Sequence, residues 1–523
     1  MDILSSGSTT SSSSSAYDSY SASSVTGLVD NINVDSIVKS LMMAANAPVD
    51  TLDQQIQTLQ WKQQDYQSIN TDLQNLQNSI QNLKLQGTYM TKQVTSSSSA
   101  VSATATISAL NTSHQVIVSG IATSAVLASQ AAVTAISSGG DTLSSDGVTA
   151  GSFTINDGTN QQTFNVTSTT TLNNVISDIN SSGLNVEASW DSSLQRFYLS
   201  ATQAGTTVTA TDTSGDLMQT LLGNSTNTAS GSDASVEVDG TSYTFSSNQF
   251  EINGISYTVQ GTTGNSPAVV TVTNDVSSVV SGISSFVTEY NNTMTDLNNM
   301  LSQTVYSDYP PLTQDLITTK DLDSTQQDAW TTKAKSGLLN GDPLLQSVVN
   351  DMEDAMTNPV SGLSGKVTVT NDDDQQETVL CNQASVVGLT STYGTLSLDT
   401  STLTEALQSN PQAVIALFTT TLDSSGDLIT DSSQQGLMVR LDNTLTNDIS
   451  ELTNQAGTSG QIVDNSYIGQ QVSSDNSQVS SWDTYLNNLE SRYYKEFDSM
   501  EQALEDANVQ SSWLSELSSS SSS

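Results

Sequence analysis

Basic residues are scarce in this chain. Its 523 residues include 12 Lys and Arg against 54 Asp and Glu, a formal charge of −42. Such a chain has no electrostatic footprint for nucleic acid or for an anionic membrane surface. Ser, Thr, Asn and Gln take the place of the missing bases, which suits an outside face more than a salt-adapted interior. The one cysteine, Cys381, excludes an intrachain disulfide framework and any Cys-based zinc site. Its neighbours Val379, Leu380 and Val386 mark it as a buried small hydrophobe. The one histidine, His114, opens a strand and reads as a solvent or edge residue rather than a general base. A Cys-His nucleophile would need that single pair. No run approaches the ~20 apolar residues of a membrane span. There is no Gly-rich phosphate loop with a Lys, and no paired-carboxylate cleft can be located. "NDDDQQE" (371–377) lacks the spacing and turn glycine of an EF-hand loop and reads as a solvated hairpin tip. No catalytic, metal or cofactor residue is assigned, and the expectation is a protein that is not an enzyme and needs no cofactor.

What is present is a hydrophobic stripe near each end. Leu52, Leu59, Tyr66, Leu73 and Ile80 recur every seventh residue, with Ile69, Leu76 and Leu83 between them. Val472, Val479, Leu486, Tyr493, Met500, Ala507 and Leu514 repeat in the same way near the other end. Trp482 and Leu489 begin a companion series that drifts through Phe497 and Leu504. A 3.5-residue period keeps one seam on one side of a helix, and that seam must pack on another helix. The expectation is that the two ends meet as an antiparallel pair. The seam residues are Leu52, Leu59, Tyr66, Leu73, Ile80, Val479, Leu486, Tyr493, Met500 and Leu514. The plainer alternative is two amphipathic helices that each pack on a globular core.

The start, Met1 to Ser24, is a Ser/Thr tract with Ile3-Leu4 as its apolar pair. It cannot bury enough to order itself, and it lacks the basic and apolar regions of a cleaved signal. Asp35 can cap a short helix with Ile37, Val38, Leu41 and Met42 on one face. Pro48 then interrupts, and Asp50 can cap the long helix, which runs to about Leu85 before Gly87. From Val94 the texture is β. "GSFTINDGTNQQTFNV" (151–166) reads as a hairpin turning at Asp157-Gly158. A helix over 171–183 and a second hairpin over 184–201 complete a ββαββ-like unit. Asp239-Gly240 and Asn253-Gly254 mark two more hairpins. Helical period returns at Val276, at Leu344–Met356 behind Asp342-Pro343, and at Gly436–Leu452. A short strand pair and two brief helices fill 393–418.

Strands lying inside helical sequence call for nested domains. The fold class is α+β multidomain, with terminal coiled-coil helices, a helical-bundle domain and nested β-rich domains in the middle. The expected division is a disordered Ser-rich start (1–26), a terminal coiled-coil leg domain (27–60 and 470–523) and a helical bundle (61–93 and 276–469). Inside these lie a β-rich domain (94–139 and 226–275) and an inserted module (140–225).

Several blocks resemble one family. They are "NINVDSIVKSLMMAANAPVDTLDQQIQTL" (31–59), "FEINGISYTVQGTT" (250–263), "GLLNGDPLLQSV" (337–348), "GLTSTYGTLSLDTSTLTEALQSNPQAVIALF" (388–418) and "YYKEFDSMEQALEDANVQSSWL" (493–514). In this order they resemble the bacterial flagellar filament cap proteins, the hook-associated protein 2 family. The chain departs from that pattern in its Ser tract, its few bases and its wet 371–377 segment. The resemblance implies a structural cap at the filament tip that promotes folding and insertion of exported flagellin, with no covalent chemistry. It implies a ring homo-oligomer, a pentamer, with legs toward the filament. The implied partners are further copies of the chain, flagellin, the hook–filament junction proteins and an export chaperone, with no nucleic acid and no membrane insertion. The implied location is extracellular, at the flagellum tip, after export by the flagellar secretion apparatus without a cleaved signal. The alternative reading is an adhesin of the flagellar tip that binds surface or host polymers.

Overall fold

The structure, a computed structural model, describes residues 34–520 apart from 265, 372 and 424. The Ser-rich start expected to be disordered (1–26) lies outside the described residues. In chain order, α1 (Val34–Ile80) and α2 (Gln86–Tyr89) precede β1 (Lys92–Ser96), β2 (Val101–Ala105), β3 (Ser113–Gly120), β4 (Ser124–Ala128), β5 (Gly151–Asn156) and β6 (Gln161–Val166). Next come α3 (Leu172–Asn180), β7 (Val186–Asp191), β8 (Arg196–Ala204), β9 (Thr207–Ser214), α4 (Leu217–Leu222) and β10 (Thr226–Ser230). β11 (Ala234–Val238), β12 (Thr241–Phe245), β13 (Gln249–Ile252), β14 (Ile255–Val259) and β15 (Ala268–Asn274) close the β region. There follow α5 (Val276–Ser302), α6 (Gln314–Lys320), α7 (Ser324–Lys335), α8 (Pro343–Thr357), β16 (Lys366–Thr370), β17 (Gln376–Leu380), β18 (Leu389–Thr392) and β19 (Thr395–Leu398). The last helices are α9 (Thr400–Ser409), α10 (Pro411–Thr419), α11 (Leu437–Ala456) and α12 (Tyr467–Ser520). The described residues form two compact units, one of residues 87–279 and one of residues 34–86 with 280–520.

The first of these is β-rich. A five-stranded sheet in the order β1-β15-β3-β11-β12 and a three-stranded sheet β13-β14-β2 share one core. Alternation along the strands supplies it: Val116 and Val118, Val236 and Val238, and Val270 and Val272 all turn inward. Asp239-Gly240 and Asn253-Gly254 both take positive φ at both residues, the geometry of a two-residue hairpin turn. The hairpin turning at Asp157-Gly158 also forms, with a longer turn. β5 and β6 are joined by a four-residue loop, because the buried Asp157 carboxylate turns inward and accepts from the Thr159, Asn160 and Asn185 amides. The inserted module has a separate core over the sheets β10-β9-β5-β6 and β4-β8-β7, covered by α3 and α4. Its extent corrects the 140–225 boundary. β4 pairs with β8, β10 pairs with β9, and Ala125, Leu127, Val133 and Ile136 belong to the module core. Gly151 is required where β5 meets β9, since a Cβ there would lie 2.1 Å from the Ser214 carbonyl oxygen.

His114 also departs from expectation. It lies on β3, the central strand of the five, with its ring largely covered, and Nδ1 is 2.6 Å from Asp239 Oδ2. The strand-opening position suggested exposure, whereas the Asp239 turn of the neighbouring hairpin folds over it.

In the helical unit α11 packs against α1, α8, α10 and α12. Asp342 caps α8 through the Leu344 and Leu345 amides, with Pro343 in the first turn where its missing N–H costs nothing. Arg440 of α11 closes the other end of α8. Its guanidinium donates to the carbonyls of Ala355 (2.8 Å), Asn358 (2.6 Å) and Pro359, satisfying acceptors that a helix end leaves open. Cys381 is fully buried and its thiol is pushed up to about 12 by burial. α6 and α7 have no counterpart in the sequence reading, although Thr313 caps the first and Asp323 with Gln326 forms a capping box on the second.

Candidate functional site: the paired terminal helices

α1 is one helix through Pro48, not two. Pro48 removes one backbone donor, but Ala44, whose carbonyl loses that partner, is exposed and open to water. α1 ends at Ile80 rather than near Leu85, where a turn takes over with the Lys84 amide still donating to the Ile80 carbonyl.

α1 has two partners in succession. Its first half lies against α12, where Val38, Met42 and Val49 form a buried cluster with Leu486 and Leu489. Val34, Ala45, Val479, Trp482, Tyr493, Tyr494 and Phe497 border that cluster. The pair is antiparallel, since Asp35 reaches Tyr494, Asp53 faces Asp483, and Gln63 reaches Asp464. The seam is also acidic. Burial, then the Asp35 and Glu490 charges, raise the Tyr494 phenol. Burial and the Asp483 charge raise Asp53, while burial, Asp315 and Asp53 raise Asp50.

The second half of α1 lies along α11. Gln63 and Gln67 donate to the Ala456 carbonyl at 2.8 and 3.0 Å, and Asn70 donates to Thr453. Gln77 reaches Thr446, and Lys84 forms an ion pair with Asp442 at 2.7 Å. Gln63 therefore ends α11 from a neighbouring helix and also holds Asp464, in the loop that opens α12. Tyr66 donates to Asp342 at 2.6 Å, so α1 also touches the carboxylate that caps α8. Burial, then Asp342, push that phenol up.

The structure thus divides the expected seam. Tyr66, Leu73 and Ile80 are buried in the stretch of α1 that follows α11, not between the terminal helices. Leu52 and Leu59 are half-buried near the change of partner. The α1 side of the terminal pair is made by Val38 and Met42, which sequence reasoning set apart in a short helix before Pro48, and by Val49 just after it. The signal that could have joined them was the spacing itself: 38, 42 and 49 share a face only if the helix continues. On α12, Val479, Leu486 and Tyr493 join the terminal cluster. Met500 and Leu514 do not, being 40% and 59% exposed. Leu504 is exposed on the same side as Met500 and Leu514, while Val509, Trp513 and Leu517 are exposed largely on the other side, so among the described residues α12 continues past its α1 partner with an uncovered apolar stripe at Met500, Leu504 and Leu514.

Comparison with known proteins places this architecture. The family described as "Flagellar hook-associated protein 2 C-terminus" matches residues 231–509, and "Flagellar hook-associated protein 2 N-terminus" matches residues 30–125. The chain is 26% identical to the flagellar hook-associated protein 2 of Halalkalibacterium halodurans, over 92% of this chain and 97% of that protein. In fold it resembles the crystal structure of the D1-D2-D3 domains of the flagellar cap protein FliD from Escherichia coli. That likeness has a TM-score of 0.51 and 18% identity, and covers 79% of this chain and 99% of that one. With one family description spanning more than half of its length and a second covering its start, the chain belongs to the flagellar hook-associated protein 2 family.

Proposed function

We propose that this protein is a structural cap at the tip of the bacterial flagellar filament and promotes folding and insertion of exported flagellin without covalent chemistry. It acts as a ring of identical copies, a pentamer, outside the cell. It arrives through the flagellar secretion apparatus with its N-terminus uncleaved. Family membership supports the capping role. The observation that carries the mechanism is the stripe on α12 made by Met500, Leu504 and Leu514, uncovered among the described residues. An apolar stripe continuing a packed seam is favoured to acquire a cover, at about 1.5–3 kcal/mol for each large side chain fully buried. On the filament that cover comes from flagellin or an adjoining copy. Before assembly an export chaperone takes the same surface, and hook–filament junction proteins receive the first ring.

The seam is suited to repeated release. Ser511 interrupts it, and Glu505 and Asp506 lie beside it, so each contact is modest and separable. The test is the double substitution Leu504→Asp and Leu514→Asp. Both positions are exposed, so the free protein should fold and melt as before. On the filament, two desolvated carboxylates would cost several kcal/mol. Cells carrying the variant should shed flagellin instead of building filaments. Full-length filaments in those cells would refute the role given to the stripe.

A further inference from the structure

Leu441, Leu445 and Leu452 of α11 form a fully buried stripe. Asp448 belongs to the same stripe, because a 3.6-residue period places these four positions on one face. Asp448 is 5% exposed, and its buried Oδ2 has no hydrogen-bond partner among the described residues. A carboxyl in such a place is rare without a base to match it. Here the nearby charges that act on it are acids, Asp351 of α8 and Glu451 of α11 itself.

Among the described residues, the other elements packed on α11 do not supply a counter-ion. Lys84, in the turn after α1, is held by Asp442, and Asp72 of α1 faces Asp296 and Glu289 of α5. α10 carries no ionisable side chain. On α12, Asp475 is bonded by Gln471 and Gln478. Arg440 is the base on α11, about 12 Å up the helix axis, and it is engaged with the α8 carbonyls. An ionised Asp448 would therefore be desolvated between two like charges, whereas a neutral one fits the leucine stripe.

We propose that the α8–α11 contact is a proton-dependent clasp, closed while Asp448 holds a proton and loosened when it ionises. Burial, then Asp351 and Glu451, push this carboxyl up to about 7, from 3.8 in an ordinary setting. A folded value above the unfolded one gives stability that is complete below about 4 and is lost as pH rises through about 7. Within that window the closed state weakens by up to roughly tenfold per pH unit. The clasp is a property of the helical unit whether or not the chain caps a filament.

Amide hydrogen exchange of the full chain, corrected for the intrinsic pH dependence of exchange, reads the clasp locally. Between pH 5 and pH 8 the wild-type segments 343–357 and 437–456 should lose protection by at least tenfold, while 94–275 follows its own course. Asp448→Asn should hold protection level across that range. Asp351→Asn, which removes one repelling charge from an exposed site, should move the loss to higher pH and serves if Asp448→Asn does not fold. Equal protection at pH 5 and pH 8 in the wild type would overturn the proposal, as would an unshifted loss in Asp351→Asn.

Discussion

Leu486→Ala tests the terminal pair. Leu486 is 7% exposed and packs among Val38, Met42, Val49 and Leu489. Truncating a buried leucine to alanine costs about 2–5 kcal/mol, the range reflecting how far the site collapses. A two-helix seam with water on both flanks collapses easily, which favours the lower end, about 2 kcal/mol or roughly thirtyfold in the opening equilibrium. Met500→Ala provides the internal control. It lies on the same helix, in the same heptad phase, but 40% exposed and beyond its partner, so its effect should fall within about 0.5 kcal/mol. Hydrogen exchange is the right assay, since one melting temperature is ill-defined for a multidomain chain. In Leu486→Ala, segments 34–56 and 479–497 should lose protection together while 94–275 stays unchanged. A loss confined to 479–497, or an equal loss in Met500→Ala, would refute the pairing of these two helices.

Other outcomes follow from the same structure. A fragment of residues 87–279 holds both β cores and should fold alone and melt cooperatively, and a random-coil circular dichroism spectrum would count against it. In that fragment Asp239 is held low by the His114 hydrogen bond, and Asp275 by the Ser278 hydroxyl. At Asp157, burial is outweighed by the hydrogen bonds from Asn160, Asn185 and Thr159. Depressed carboxylates give stability that is present above the unfolded value and lost below it, so acid titration should destabilise the fragment below about pH 4. Arg440→Met keeps the bulk but leaves the Ala355 and Asn358 carbonyls without their donors. The helical unit should lose about 2–3 kcal/mol by denaturant titration of the full chain, at one open acceptor or more.

Local chemistry was the most legible part of the sequence. The Asp239-Gly240 and Asn253-Gly254 hairpins and the Asp342-Pro343 helix start depend on a few adjacent residues, and each is where the sequence indicates. What sequence obscured was non-local. The module edge is set by β4 pairing with β8 across a long stretch of chain, which no window reveals. The heptad series of α1 looked uniform, yet Tyr66, Leu73 and Ile80 serve α11 while the contact with α12 is made upstream of the series by Val38, Met42 and Val49, because a helix longer than the body it packs on changes partner. Pro48 looked like a boundary because its cost was weighed without the exposure of Ala44. α7 was missed because its residues show little apolar periodicity, though its capping box was there to be read. Asp448 could not be found from sequence, since an acid inside a helical stripe reads as a solvated face until its neighbours are known.

Capping is best tested by where flagellin goes in cells that lack this chain. Flagellin should be measured in sheared filaments and in the cleared medium, with the chain deleted and with it restored. The capping account predicts that deletion moves most flagellin into the medium as free subunits, and that restoring the chain returns it to filaments. Filaments of normal length and amount in the deletion strain would contradict it.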